Sequence, residues 1–300
     1  MITLKQLHYA LAIEKTLHFK KASEACNVSQ SALSTAVSEL EKQLGVTIFE
    51  RNNKKVLVTN SGQLILNKAK KVKLELDELL QISQTNNQPF FNPMTIGVIP
   101  TIGPYLLPKV LPEVRKQYPN FKLKIIEEKS HVLVEMVRNG DIDGAVLALP
   151  FSIEGLMNFD FWKEDFYWVS HKDECPSQMK EITAEELEIE KLMLLRDGHC
   201  LKDHALAVCS MQNRKQDTDF DSASLHTLIQ MVAGKLGTTL VPQMALDQLI
   251  YSESELRAIH LNEPGPHRTI SLIVRPNYVR TNEITLLKDI FTNKLIEKCM

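Results

Sequence analysis

The spacing of apolar residues changes along the chain, and each change marks a new kind of element. From residue 4 to 16, Leu4, Leu7, Leu11 and Ala12 recur at helical intervals and predict a first helix. A short helix around Ala22 and Ala25 leads to Asn27, a residue that tolerates the left-handed conformation of tight turns. Val28 is placed to plug the corner and Ser29 to cap the next helix. There Leu33, Val37, Leu40 and Leu44 form one buried stripe. Helix, tight turn, helix is the helix-turn-helix pattern. At about 100° per residue, Gln30, Ser31, Ser34, Thr35 and Ser38 fall together on a different arc. They are uncharged hydrogen-bonding side chains, able to approach base edges in a major groove without repelling phosphate. Glu41 shares the arc one turn further on, where the helix should be leaving the groove. A serine-rich solvent face is the plainer alternative.

In "VTIFERNNKKVLVT" two β-branched runs flank a basic, turn-like tip. This predicts a wing whose Arg51, Lys54 and Lys55 contact the phosphate backbone and supply affinity more than sequence choice. Residues 61–82 carry an apolar stripe of Leu64, Ile65, Ala69, Val72, Leu76, Leu79 and Leu80 on one long helix. Such a solitary helix needs a partner to cover its stripe. "TNNQPFFNP" then breaks it and forms a hinge.

From Met94 strand-like and helical runs alternate: "MTIGVI", "YLLPKVLPEVRKQYP", "KLKIIEE", "HVLVEMVRNG", "GAVLAL". That alternation predicts an α/β fold with a parallel sheet. A second set follows through "DFYWVSH", "LMLLR", the segment 200–209, "SASLHTLIQMVAGK", "GTTLVP" and "RAIHL". "RTISLIVRP" and a helix from Glu283 to Cys299 then return to the first set. Two α/β lobes with a crossover leave a ligand-type cleft between them. The overall class is α+β. Residues 1–60 are read as a winged helix-turn-helix domain and 61–88 as linker helix and hinge. Residues 89–300 form a two-lobed α/β regulatory domain, lobe I about 89–163 and 268–300, lobe II about 164–267.

Composition adds three constraints. The net charge of −2 hides an asymmetry: residues 1–70 hold ten Lys/Arg against five Asp/Glu, about +5, leaving about −7 for the rest. A basic head on an acidic body suits a polyanion partner. No apolar run approaches the roughly 20 residues of a membrane span, and Lys5 and Glu14 interrupt the N-terminus, so a cytoplasmic protein without a membrane partner is expected. Five cysteines without a CxxC motif argue against a structural disulfide framework. Cys26 reads as a packing residue, and Cys175 and Cys299 as loop and tail residues.

The run "ASEACNVSQSALSTAVSELEKQLGVTIFER", followed by "VLVTNSG", resembles the DNA-binding domain of the LysR-type transcriptional regulators over about the first 65 residues. Ser31 stands where that family often has proline, and it keeps the helix start. The resemblance implies promoter DNA and RNA polymerase as partners and no enzymatic activity. It also implies a linker helix that pairs with its copy in a dimer or tetramer, and a regulatory domain like the periplasmic binding proteins.

"LLRDGHCLKDHALAVC" leaves more than one chemistry open. Buried structural thiols are the default for an apolar helix. His199, Cys200, His204 and Cys209 are all metal-ligand types, but no paired spacing recurs. No cofactor is expected. With "IGVIPTIGPYLLP" and "HRTISLIVRP", the segment resembles the OxyR-type, peroxide-sensing branch of the family over essentially the whole chain. That resemblance implies a redox-active pair, Cys200 and Cys209, and a peroxide pocket that includes Thr101, His199, Asp203 and Arg268. It also implies a cytosolic thiol reductant such as a glutaredoxin. The start of a helix and His199 or Arg268 are expected to lower the Cys200 pKa, and the thiolate would give a sulfenic acid that Cys209 resolves. Nine residues of helix separate the two backbones by about 13 Å, whereas a disulfide needs Cα atoms within about 7 Å. Pairing therefore requires the segment to unwind. A loop of this size contributes about 2.5–3 kcal/mol, enough to bias an element with two packings. A small anion in the interlobe cleft is the alternative signal. Arg196 stands where such regulators commonly carry an acid, and His226 where glutamate is common.

Overall fold

The computed structural model describes residues 1–52, 55–83, 88–196, 198–209, 224–251 and 255–297. The chain divides into two compact units, Met1–Asn87 and Gln88–Met300. In the first, α1 (Leu4–Thr16), α2 (Phe19–Ala25) and α3 (Gln30–Leu44) precede a hairpin of β1 (Phe49–Asn52) and β2 (Lys55–Val58), and α4 (Asn60–Ser83) follows. Thr3 and Gln6 form a capping box at α1, and Ser29 Oγ accepts from Ala32 N–H at α3. Asn27 takes φ 53° and makes the turn expected of it.

Leu33, Val37 and Leu40 are fully buried, each worth about 1.5–3 kcal/mol relative to exposure. The face of α1 differs from the expected stripe. Leu4 is 51% exposed, and Tyr9, Ala10 and Ile13 form the buried centre. Leu7, Leu11 and Ala12 flank it, half-buried. The leucine spacing thus marks the edge of the face, because the larger Tyr9 and the branched Ile13 fill the space against α3. The hairpin pairs Phe49 with Val58 at one end and Asn52 with Lys55 at the other.

The second unit contains β3 (Met94–Val98), α5 (Gly103–Gln117), β4 (Leu123–Glu127), α6 (Ser130–Asn139), β5 (Gly144–Leu149) and β6 (Met157–Glu164). It continues with β7 (Phe166–His171), β8 (Glu181–Ile182), α7 (Cys200–Val208), α8 (Leu225–Ala233), β9 (Thr239–Pro242), α9 (Leu246–Leu249), β10 (Leu256–Leu261), β11 (Arg268–Val274) and α10 (Thr281–Ile296). One sheet has the order β4-β3-β5-β11-β6 and the other β8-β10-β7-β9. Only β3 with β4 and β5, and the short β10–β8 pair, are parallel. The expected parallel sheets are therefore mixed. The reason lies in the crossings: β11 enters the first sheet from the other lobe and runs against both β5 and β6. Asp165 alone separates β6 from β7, so one chain direction feeds both sheets. The reading above missed β6, whose alternating charges weaken its strand signal. "LMLLR" is no strand but carries isolated bridge residues, Leu192, paired with Thr238, and Leu195.

No helix among the described residues is long and apolar enough to cross a membrane.

The first unit generates a stability prediction. A Cβ on Gly62, near the start of α4, would run into the backbone oxygen of Ile48 and lie 2.9 Å from Thr59 Oγ1. Gly62→Ala should lower stability by about 1–3 kcal/mol, since neither backbone segment can yield cheaply. Urea titration of the full chain gives the loss. Amide exchange should register it first in residues 4–58, and an unchanged titration would refute the close packing.

Candidate functional site

The arc read as a base-contacting face is on the surface of α3. Ser29, Gln30, Ser31, Thr35 and Ser38 are exposed and Ser34 is half-buried. Ser29 Oγ also lies 3.1 Å from Ser31 Oγ. Glu41 turns away to the wing, where its carboxylate accepts from Ile48 N–H at 2.8 Å and Phe49 N–H at 3.0 Å. The one acid of the arc is thus used inside the fold. Arg51 lies in β1 and Lys55, exposed, opens β2. Lys54 lies outside the described residues.

The two cysteines occupy the two ends of one helix. Cys200 is the first residue of α7 and Cys209 its C-terminal cap. They are 3% and 7% exposed, and both are free thiols. Gly198 makes the sharp entry with φ +91°, a conformation that favours glycine, while the space a Cβ would take is bordered most closely by the flexible Lys129 side chain. His199 follows at the N-cap position, buried, without a side-chain capping bond. Cys175 is buried as well, and Cys26, half-buried, caps α2. Cys299 lies outside the described residues.

Arg268 organises the surroundings. It opens β11 directly opposite Glu164, the last residue of β6. Its Nε–H donates to Glu164 Oε1 at 2.7 Å, and both side chains are fully buried. The two terminal nitrogens reach Thr101, at 3.4 Å to Oγ1 and 3.3 Å to the carbonyl oxygen. Glu164 Oε2 accepts from Met244 N–H at 2.6 Å. Two crossing strands, the loop before α5 and a turn of lobe II thus converge on one ion pair.

The electrostatics differ from the expected activation. Burial pushes the Cys200 thiol above its ordinary value of 9.0. Ser130, Arg268 and a backbone N–H oppose that rise, and Asp203 adds to it. In this packing desolvation of the anion outweighs the helix terminus. His199 is not among the groups that act on the thiol. Its own pKa is lowered by burial, then by Lys129 and Arg196. Asp203 sits exposed on the outer side of the first turn. Cys209 is pushed up to about 11 by burial and by Glu263.

Thr101, Arg268 and Cys200 are therefore brought together, whereas Asp203 faces solvent and His199 faces the cleft. Beside Thr101 and His199 that cleft is a cavity of about 340 Å³, lined also by Glu127, Tyr105 and His226. Three residues at the site were not read from the sequence. Ser130, at the start of α6, is 2% exposed, and its Oγ has no partner of good geometry although it lies beside the thiol. Glu164, the last residue of β6, was missed together with that strand. His204, weighed only as a metal ligand, donates Nε2–H to the Pro150 carbonyl at 2.7 Å. Among the described residues no three His, Cys, Asp or Glu side chains converge as a metal site would need.

Comparison with known proteins places this geometry. Residues 4–63 match the bacterial regulatory helix-turn-helix model of the lysR family, and residues 90–295 match the LysR substrate binding domain. The chain belongs to the LysR family of bacterial transcriptional regulators, which are not enzymes. Within that family it is of the OxyR-like kind. It is 33% identical to the DNA-binding transcriptional dual regulator OxyR of Escherichia coli, over 92% of this chain and 90% of that one. A full-length OxyR variant from Pseudomonas aeruginosa superposes with TM-score 0.81 and 32% identity, covering 97% and 98% of the two chains. A hydrogen-peroxide-bound OxyR variant from Corynebacterium glutamicum gives 0.66 and 31% over 99% and 94%. The chain is also 35% identical to the regulator EstR of Acinetobacter baylyi, over 96% and 95% of the two chains.

Two predictions follow from the charges. Alkylation of Cys200 in the reduced chain should be slow at neutral pH and keep rising about tenfold per pH unit past pH 9, since the buried thiol titrates above its ordinary 9.0. A rate that levels off below pH 8 would instead indicate a depressed pKa. Arg268→Met should cost about 3–5 kcal/mol in urea titration, because it strands the buried Glu164 carboxylate. A loss under 1 kcal/mol would mean that Glu164 escapes to solvent.

Proposed function

We propose that this chain senses hydrogen peroxide through Cys200 and Cys209 and reports their oxidation to promoter DNA. The observation that carries the reading is the placing of the two thiols at opposite ends of one nine-residue helix, the first of them beside Ser130 and Arg268. The Cys200 thiolate attacks one peroxide oxygen, the O–O bond breaks, and the departing hydroxide takes a proton to leave as water. Cys200 is then a sulfenic acid. Thr101 and Ser130 supply hydroxyls, and Arg268 a fixed positive charge, where the negative oxygen develops. The Cys209 thiol attacks the sulfenic sulfur, the S–O bond breaks, and a second water leaves as the disulfide forms.

Backbones about 13 Å apart cannot host that bond, so α7 must unwind. Its release alters the packing of lobe II against lobe I and, through the assembly, the spacing of the DNA-binding heads. Leu64, Val72 and Leu79 stand 70%, 45% and 61% exposed on α4, an uncovered stripe that supports self-association through that helix. In this scheme the exposed arc of α3 and the basic wing meet DNA, RNA polymerase reads the altered complex, and a cytosolic thiol reductant such as a glutaredoxin resets the switch. The alternative signal, a small anion in the interlobe cleft, meets the Glu127 carboxylate and no lysine or arginine among the described lining residues, although Lys129 and Arg196 act on His199 there.

Mass spectrometry after one equivalent of peroxide tests the proposal. The expected product is a Cys200–Cys209 crosslinked peptide. Cys209→Ser should stop at a sulfenic acid that dimedone traps, and Cys200→Ser should lose the change in DNA binding. A peroxide response that survives Cys200→Ser would overturn the reading.

A further inference from the structure

His204 lies one turn after Cys200 on α7 and is 3% exposed. Its Nε2–H donates to the carbonyl oxygen of Pro150 at 2.7 Å. Pro150 directly follows β5 of lobe I, so this bond ties the helix that carries both thiols to the other lobe. The donation fixes the tautomer and leaves Nδ1 as an acceptor. That nitrogen is buried and has no hydrogen-bond partner among the described residues. A second proton would have to sit there, where no described residue offers an acceptor. Arg268, projecting from β11, opposes that charge, and Asp203 on the same helix favours it. Glu164 on β6 is already engaged by Arg268. Burial is the largest influence, and the ring is held below its ordinary 6.5.

We infer that His204 is a positioning residue, a neutral latch that holds α7 in its reduced packing and takes up a proton when oxidation releases the helix. The inference rests on the sensing scheme above, because that scheme is what moves α7. The sign follows from the environment. In the reduced packing the ring stays neutral, and in released, solvated chain it regains its ordinary affinity for protons. The reduced packing therefore keeps its full advantage above about pH 6.5 and loses it as pH falls, until the buried ring itself protonates. Acid favours the disulfide.

Equilibration with a glutathione buffer isolates this effect. Reduced protein plus glutathione disulfide gives oxidised protein plus two glutathione thiols, so thiol protons cancel below the thiol pKa values. Any remaining pH dependence belongs to other groups. His199, facing Lys129 and Arg196, contributes to that background. The contribution of His204 is thus the difference between the natural chain and His204→Gln, whose amide can donate to Pro150 but cannot titrate. From pH 7.5 to 5.5 the equilibrium constant for oxidation of the natural chain should rise more than that of His204→Gln, by up to about tenfold where the buried ring stays neutral throughout. Both should oxidise alike at pH 7.5. Equal pH profiles would overturn the latch. Should His204→Gln fail to fold, NMR titration of the natural chain decides. A ring that resists protonation when reduced and titrates near 6.5 when oxidised supports the proposal, and identical titrations refute it. If mass spectrometry finds no Cys200–Cys209 bond in the natural chain, the sensing scheme falls and this inference falls with it.

Discussion

The buried pair of Arg268 and Glu164 is the constraint around which the regulatory unit is arranged. Taking both charges out of water costs several kcal/mol per ion, and the cost is tolerable only because nearly every polar atom is answered. Glu164 holds Arg268 with one oxygen and the Met244 amide with the other, while the guanidinium also reaches Thr101. These partners come from both lobes and from both strands beside the crossings. The lobes therefore cannot separate without exposing or breaking the pair. The same guanidinium lowers the pKa of the Cys200 thiol and disfavours a second proton on His204. One fixed charge thus stabilises the reduced fold and biases the two titratable groups that face each other's turn on α7.

Helix α7 is the part of this frame best able to change. An isolated helix of nine residues has little stability of its own, so its order comes from what it packs against. Cys200, Leu201, His204 and Ala205 are its buried side. His204 is the one polar member whose bond crosses to Pro150. In the proposed cycle a bond between the helix ends replaces contacts of this kind with a covalent constraint worth a few kcal/mol. The two packings are then close enough in energy for small terms, including one proton, to decide the balance.

Much of this was legible in the sequence where the signal is local. Spacing and turn chemistry at Asn27 and Ser29 define the DNA-binding head, and the arc of α3 is exposed as its periodicity implies except at half-buried Ser34. The α1 face was misjudged because leucine spacing alone does not say which of two adjacent stripes packs centrally; Tyr9 and Ile13 do so. Strand β6 was missed because its charges weaken the strand signal, and the antiparallel course of β11 because chain crossing between lobes leaves no periodic trace. Glu164 and Ser130 escaped because each comes beside its site neighbour, Arg268 and Cys200 respectively, only across a long sequence separation. The low thiol pKa expected for Cys200 considered the helix terminus and neglected burial.

That burial has a chemical consequence. A solvent-exposed thiolate reacts with any electrophile that reaches it. A thiol kept protonated and 3% exposed reacts only with a reagent small enough to enter and able to use the groups already there. Hydrogen peroxide is small and neutral, so it pays little desolvation. Both of its oxygens donate and accept, which suits the hydroxyls of Thr101 and Ser130 and the donors of Arg268. A bulky oxidant fails on size, and an anion must leave its water behind. In the proposed sensor, the raised thiol pKa is thus the cost of selectivity, and the polar groups around Cys200 offset it for the one oxidant that fits them.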